Sequence, residues 1–182
     1  MLQHLLQTTL EKAPNRQLID FYDRQYSADE LEKASLKLVS RFKLAGLESI
    51  DRVAMLLPNC PEAVQVYLAC FKGGFVVVPL DYRHRAPQIR YALNHSGADV
   101  LIVHHDRVAE LESEGCLVGL SHVVIVGGEP ETDSHQSFED FVSKGSAADF
   151  QGEYYDDDLC VMIYTSGTTS RPKGVTLTRI FH

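Results

Sequence analysis

The sequence lacks an excess of basic residues, and it lacks any long hydrophobic run. Its 17 Lys and Arg residues face 25 Asp and Glu residues, which gives a formal net charge of -8. Binding to a nucleic-acid backbone needs a basic face, so this balance argues against a nucleic-acid partner. No run of 18 apolar residues and no basic leader is present. We therefore expect a cytoplasmic protein that does not span a membrane.

The four cysteines form no CxxC pair. They are scattered at Cys60, Cys70, Cys116 and Cys160, and three of them lie in apolar surroundings, where a free thiol behaves as a small hydrophobic group. This pattern indicates a reducing compartment. Low-complexity tracts are also missing, and 45% of the residues are apolar. The 182 residues are therefore expected to form a folded globular domain with a core of its own.

Short apolar runs alternate with helical patterns along most of the chain. Parallel strands need crossover connections, so this alternation predicts an α/β fold with a mainly parallel sheet flanked by helices. The predicted strands are 17–21, 53–57, 75–78, 100–103, 123–126, 159–164 and 175–178. The predicted helices after residue 50 are 61–72, 87–94, 108–113 and 138–142.

The whole chain, 1–182, divides into four segments by pattern and charge. They are 1–50 (leading helix, strand and capped helix), 51–128 (βαβ core), 129–158 (acidic connector) and 159–178 (strand, loop, strand). Ser27 and Glu30 have the form of a capping box, and Gly46 is placed to end the helix that this box starts. The connector holds ten acids against one base, Lys144, and residues 128–137 are expected to be its most mobile part.

The segment from Tyr164 to Val175 has the composition of a phosphate-binding loop. Its sequence is YTSGTTSRPKGV, in which glycines let the backbone bring N–H groups to an anion, hydroxyls add donors and a lysine adds a mobile positive charge. The spacing excludes a Walker A loop, because Pro172 and Gly174 flank Lys173. No GxGxxG follows a strand either. The β-branched residues after Gly174 predict a strand, so the loop is expected to join two strands.

At these residues the chain resembles the adenylate-forming, or AMP-binding, superfamily. The signature of that family is YTSGTTGxPKGV. Ten of its positions up to the last glycine are specified, and this chain matches nine of them. The stretches DRVAMLLPNCPEAVQVYLACFKGGFVVVPLDYR and YSADELEKASLKLVSRFKLAGL are similar to the same family's N-terminal domain. The resemblance implies that the chain is the first part of the large N-terminal domain of an acyl-CoA synthetase-like enzyme.

The resemblance also implies a reaction. A carboxylic acid would attack ATP to give an acyl-adenylate and pyrophosphate, and a thiol, often that of coenzyme A, would then take the acyl group. Magnesium would bridge the phosphates. The residues that would bind the β- and γ-phosphates are Thr165, Ser166, Gly167, Thr168, Thr169, Ser170 and Lys173. They would stabilise the leaving group and would not select the acid.

Two departures from the family pattern bear on this function. Ser170 stands where the family has glycine, and it would cost roughly 1–2 kcal/mol if that position needs a positive φ. Arg179 stands where the family usually has histidine. In the family the nucleoside contacts, the acyl pocket, the magnesium-binding glutamate and the catalytic lysine of a C-terminal domain all come later. We therefore expect an N-terminal fragment without the C-terminal domain, inactive by itself and with no identifiable catalytic residue.

The substrate and the class of protein leave alternatives open. PLDYRHRAPQIRYAL is more similar to acyl- and aryl-CoA synthetases than to amino-acid adenylation domains, which favours a fatty or aromatic acid. An amino-acid adenylation fragment and a non-catalytic nucleotide-binding or interaction module are the alternatives.

Three further groups are interpreted as structural. Three adjacent residues are not expected to point at one ion, so no metal site is expected at His104, His105 and Asp106. Gly73 and Gly74 are expected to cap a helix, and Asp81 to Arg83 to form a surface turn.

Overall fold

A seven-stranded sheet with helices on both faces forms the centre of the molecule. The computed structural model describes residues 8–148, 150, 157–165 and 172–179. The strands are β1 (Gln17–Phe21), β2 (Arg24–Ser27), β3 (Arg52–Leu56), β4 (Val76–Pro79), β5 (Val100–His104), β6 (His122–Val126), β7 (His135–Ser137), β8 (Leu159–Thr165) and β9 (Lys173–Thr178). The helices are α1 (residues 8–12), α2 (Ala28–Leu44), α3 (Pro61–Gly73), α4 (Ala86–Ser96), α5 (His105–Ser113) and α6 (Phe138–Ser143).

The strand order is β7-β6-β5-β3-β4-β8-β9, and all neighbours are parallel except β8 and β9. The prediction of a mainly parallel α/β sheet is therefore confirmed. β1 and β2 form a separate antiparallel pair. Among the described residues, no helix is long and apolar enough to cross a membrane.

Two apolar clusters lie on the two faces of the sheet, because successive strand residues point to opposite sides. In β3, Val53 and Met55 belong to one cluster with α2 and α3, and Ala54 and Leu56 belong to the other with α4 and α5. The near-continuous apolar strands are thus buried on both sides, as expected for a parallel sheet.

The helix ends follow the sequence signals. Ser27 caps α2: its hydroxyl accepts from the Glu30 N–H at 3.2 Å, and the Glu30 carboxylate accepts from the Ser27 N–H at 2.8 Å. Pro61 lies in the first turn of α3, where a missing N–H costs nothing. Gly74 ends that helix with a φ of +80°, a conformation that glycine adopts without strain.

Gly73 has a different reason to be glycine. A Cβ at this position would lie 2.2 Å from the Phe75 ring, so the helix end packs directly on that aromatic side chain.

The cysteines behave as hydrophobic groups. All four are free, and Cys70, Cys116 and Cys160 are buried. Burial raises the pKa of the Cys60 thiol to about 11 and raises the pKa of Cys70 further. These thiols therefore stay protonated at neutral pH.

Two strands were not predicted. β2 and β7 are short and polar, with the sequences RQYS and HQS, and they carry no apolar run. β7 lies inside the acidic connector and pairs in parallel with β6, and α6 follows it directly. The connector therefore adds an edge strand and a helix to the sheet.

Candidate functional site

The loop predicted to bind phosphate starts and ends in a pair of antiparallel strands. β8 and β9 pair with Thr165 opposite Lys173 and Tyr164 opposite Gly174. The prediction that two strands flank the loop is confirmed. The strands extend into the predicted loop, since Thr165 is the last residue of β8 and Lys173 the first of β9.

Thr165 and Lys173 lie side by side on one face of this strand pair, because directly opposite residues share a face. Both side chains are exposed. From Leu159 to the end of the sequence there is no Asp or Glu, so the Lys173 ammonium has no acidic neighbour within its own segment. The Thr165 hydroxyl and the Lys173 ammonium thus lie together where the loop begins and ends, and this pair can bind an anion.

The remaining predicted phosphate ligands are Ser166, Gly167, Thr168, Thr169 and Ser170, which lie outside the described residues. The effect of Ser170 in place of glycine therefore stays a prediction. No side chain among the described residues of β8 and β9 is a carboxylate, so magnesium here would be held by the phosphates it accompanies.

Tyr164 faces away from Lys173 and holds the end of β8 against α4. Its hydroxyl lies 2.8 Å from Nδ1 of His95. The His95 ring stacks on Tyr91 with a centroid distance of 5.4 Å and an angle of 21°. Burial raises the pKa of Tyr164, which keeps its hydroxyl protonated at neutral pH. No local sequence signal indicates this group, because its two hydrogen-bonding members are 69 positions apart.

The carboxyl end of β5 carries the three residues considered as metal ligands. His104 Nδ1 is 3.3 Å and His105 Nε2 is 3.1 Å from the Asp106 carboxylate, and all three ligand atoms lie within 4.8 Å of one another. The expectation that three adjacent residues cannot all point at one ion is wrong here. His104 is extended at the N-cap of α5 and the next two residues begin the helix, which lets the three side chains converge.

These contacts have a structural explanation without an ion. Nδ1 of His104 accepts from the Asp106 N–H at the start of α5, and the Asp106 carboxylate can accept from Nε2 of His105. Asp81 and Arg83 form a local ion pair of 2.8 Å that holds the pKa of the Asp81 carboxyl well below its usual range. This pair lies in an exposed turn after β4, as expected.

The similarity to known proteins covers nearly the whole chain. The model of the family described as "AMP-binding enzyme" matches residues 6–179. The chain belongs to this family. A feruloyl-CoA synthase of Amycolatopsis sp is 35% identical over 153 residues, which are 82% of this chain and 27% of that relative. A crotonobetaine/carnitine–CoA ligase of Salmonella paratyphi A is 29% identical over 160 residues, 85% of this chain and 31% of that relative.

Solved structures of CoA ligases and synthetases have the same fold. An anthranilate CoA ligase in complex with anthranoyl-AMP superposes with a TM-score of 0.91 at 26% identity, over 96% of this chain and 34% of that one. A fatty acyl CoA synthetase of Mycobacterium tuberculosis gives a TM-score of 0.82 at 22% identity, covering 97% of this chain and 34% of that one. The chain thus spans about a third of the length of the relatives it matches.

Proposed function

We propose that this chain is the N-terminal, phosphate-binding part of an ATP-dependent ligase that activates a carboxylic acid as its adenylate and transfers the acyl group to a thiol. One observation carries the proposal. The chain matches the AMP-binding family over residues 6–179, and within that match the strand pair β8–β9 holds Thr165 beside Lys173 at the ends of the signature loop.

Coenzyme A is the proposed thiol, and an aromatic or fatty acid the proposed substrate class. The relatives are named as ligases or synthases of CoA thioesters of feruloyl and crotonobetaine or carnitine groups, and a structural neighbour is named for anthranilate. These names disagree on the acid and agree on coenzyme A. The acid would be selected elsewhere in the protein, since the loop is proposed to contact only phosphate. We also propose a cytoplasmic location, where ATP and coenzyme A are both present.

The described residues would act by stabilising charge. As the acid displaces pyrophosphate, negative charge accumulates on the leaving phosphates. The Lys173 ammonium and the Thr165 hydroxyl would donate hydrogen bonds to that charge, and such pre-arranged donors lower the barrier because they need not reorganise. Mg²⁺, when bound, would neutralise part of the same charge on the phosphate oxygens.

Replacement of Lys173 tests the phosphate site. A hydrogen bond from a charged group contributes about 1.5–3 kcal/mol, so Lys173→Ala is expected to weaken binding of MgATP to the 182-residue chain roughly 10- to 100-fold. Isothermal titration calorimetry measures the affinity. Lys144→Ala is the matched control, because Lys144 is also an exposed lysine and lies on a different element; it should bind like the wild type. Equal affinities for Lys173→Ala and the wild type would remove the loop as the binding site.

Pyrophosphate exchange separates phosphate binding from catalysis. The chain spans about a third of its relatives' length, and we expect it to bind MgATP and to give no ATP–pyrophosphate exchange with a panel of fatty and aromatic acids. Exchange with any acid would show that these residues alone suffice for adenylation. Failure to bind MgATP would instead favour an interaction module that retains the fold without the nucleotide.

A further inference from the structure

Beyond the residues of the loop itself, three aromatic side chains contact one another where β8 leads into it. Tyr164 lies directly before Thr165, and its ring packs edge to face on His95 (5.8 Å between centroids, 80°) and on Tyr91 (6.4 Å, 83°). With the 2.8 Å contact between the Tyr164 hydroxyl and His95 Nδ1, these residues form a group that we name the aromatic clamp: Tyr91, His95 and Tyr164.

The clamp lies beyond the residue of β8 that pairs with β4. β8 joins the parallel part of the sheet through Val161, opposite Val77 of β4. From Met162 to Thr165 its recorded strand pairing is with β9, and β9 is the last strand of the described sheet. A two-stranded ribbon is marginally stable by itself. Contacts from outside the ribbon must therefore fix the direction in which its end points.

Helix α4 can supply that support because it is well anchored. The helix buries Ile89, Ala92 and Leu93 in the apolar cluster between it and the sheet. Tyr91 and His95 lie one turn apart on the other side of the helix. The stacked Tyr91 ring restricts the rotamers of His95. Opposite Tyr164 on β9 is Gly174, and a Cβ at this position would lie 3.5 Å from the Tyr164 ring, an ordinary van der Waals contact.

We propose that the aromatic clamp is a positioning device: by bonding the Tyr164 hydroxyl, His95 fixes the end of β8 and thereby the place at which the phosphate loop begins. His95 and Tyr91 touch no phosphate in this arrangement. They act through Tyr164 on Thr165 and Lys173. This inference rests on the proposed function, since the benefit of a fixed loop entrance is tighter binding of ATP phosphates.

Three single variants and their combination test the clamp by MgATP calorimetry. Tyr164→Phe and His95→Leu each remove one side of the hydrogen bond, and each should weaken MgATP binding about three- to tenfold, as one such bond contributes roughly 0.5–1.5 kcal/mol. The double variant should be no weaker than either single one, because both remove the same contact. His95→Asn should bind nearly as the wild type, since its amide can reach the position of Nδ1. A purely structural role would not be rescued in this way.

A matched control comes from the same pair of residue types elsewhere in the fold. The Tyr82 hydroxyl lies 3.4 Å from Nδ1 of His104. His104 ends β5, which β3 and β4 separate from β8, and Tyr82→Phe should leave MgATP affinity unchanged. Wild-type affinity in Tyr164→Phe and His95→Leu would overturn the clamp while leaving the phosphate site intact.

Hydrogen exchange tests, independently of ATP binding, whether the aromatic clamp fixes the end of β8. Backbone amides of Met162–Thr165 and 173–175 should exchange severalfold faster in Tyr164→Phe and His95→Leu than in the wild type, and not in Tyr82→Phe. If the wild type binds no MgATP, the proposed function fails, and this measurement still judges the clamp. Faster exchange supports it, and unchanged exchange overturns it.

Discussion

At the start of α2, a single glutamate couples helix stability to pH. The N–H and hydroxyl of Ser27 both donate to the Glu30 carboxylate, at 2.8 and 2.9 Å, and these bonds lower its pKa below the usual value. A group with a lowered folded-state pKa stabilises the fold above its unfolded pKa, and that contribution is lost as the pH falls through the folded pKa.

Replacement of Glu30 should therefore matter at neutral pH and not in acid. Glu30→Gln is expected to unfold at a lower temperature than the wild type at pH 7, and the difference should shrink as the pH falls below roughly 4.3. Thermal unfolding followed by circular dichroism between pH 7 and pH 3 measures this. Glu48→Gln, at an exposed position in the turn before β3, is the control and should show no such trend. A pH-independent difference for Glu30→Gln would contradict the argument.

Single residues also show what a sequence can predict. The capping box and Gly74 were predictable because their partners lie within a few positions along the chain. His95 and Tyr164 could not be paired, because their contact depends on how α4 lies against β8. It was wrong, for a related reason, to expect that His104, His105 and Asp106 cannot all point at one ion. The turn into α5 rotates neighbouring side chains toward one another, and the spacing of residues along the sequence does not show that rotation.

At the scale of the elements, strands with apolar or β-branched residues were predicted, and strands without them were missed. The strands β3, β5 and β6 were predicted because each is a continuous apolar run buried on both faces. β2 and β7 were missed because they are short, polar strands whose pairing is determined by their neighbours. The flanking strands of the loop were predictable from their β-branched residues, whereas the loop's own predicted ligands at 166–170 lie outside the described residues.

Packing between helices around Phe42 is the strongest element-scale test. Phe42 of α2 is fully buried and contacts Phe75 (5.6 Å between centroids) and Phe141 of α6 (6.0 Å). Phe42→Ala should lower the free energy of unfolding by about 3–5 kcal/mol, because it leaves a cavity at this junction. Urea unfolding measures the change, and Phe42→Leu should be intermediate. Leu44→Ala, on the same helix at 70% exposure, should change stability by less than about 0.5 kcal/mol. A similar cost at both positions would contradict the assignment of the core.

At the scale of the whole molecule, the two apolar clusters share one sheet. The strands β3, β4 and β5 contribute alternate residues to each face, so loss of packing on one face removes support for the strands that form the other. Small domains with such shared elements usually unfold in one step. The 182 residues cover about a third of the length of their relatives, and the core that the two faces of this sheet share is the reason to expect them to fold by themselves.

We therefore expect one cooperative transition for the isolated chain. The protein has no tryptophan and eight tyrosines, so tyrosine fluorescence reports tertiary packing while far-ultraviolet circular dichroism reports helices and strands; the two thermal curves should coincide. Phe42→Ala on one face and Ile89→Ala on the other should shift both curves together, because Phe42 and Ile89 are each fully buried in their clusters. A gradual transition, or curves that separate in either variant, would show that the two faces unfold independently and that the sheet is not a single folding unit.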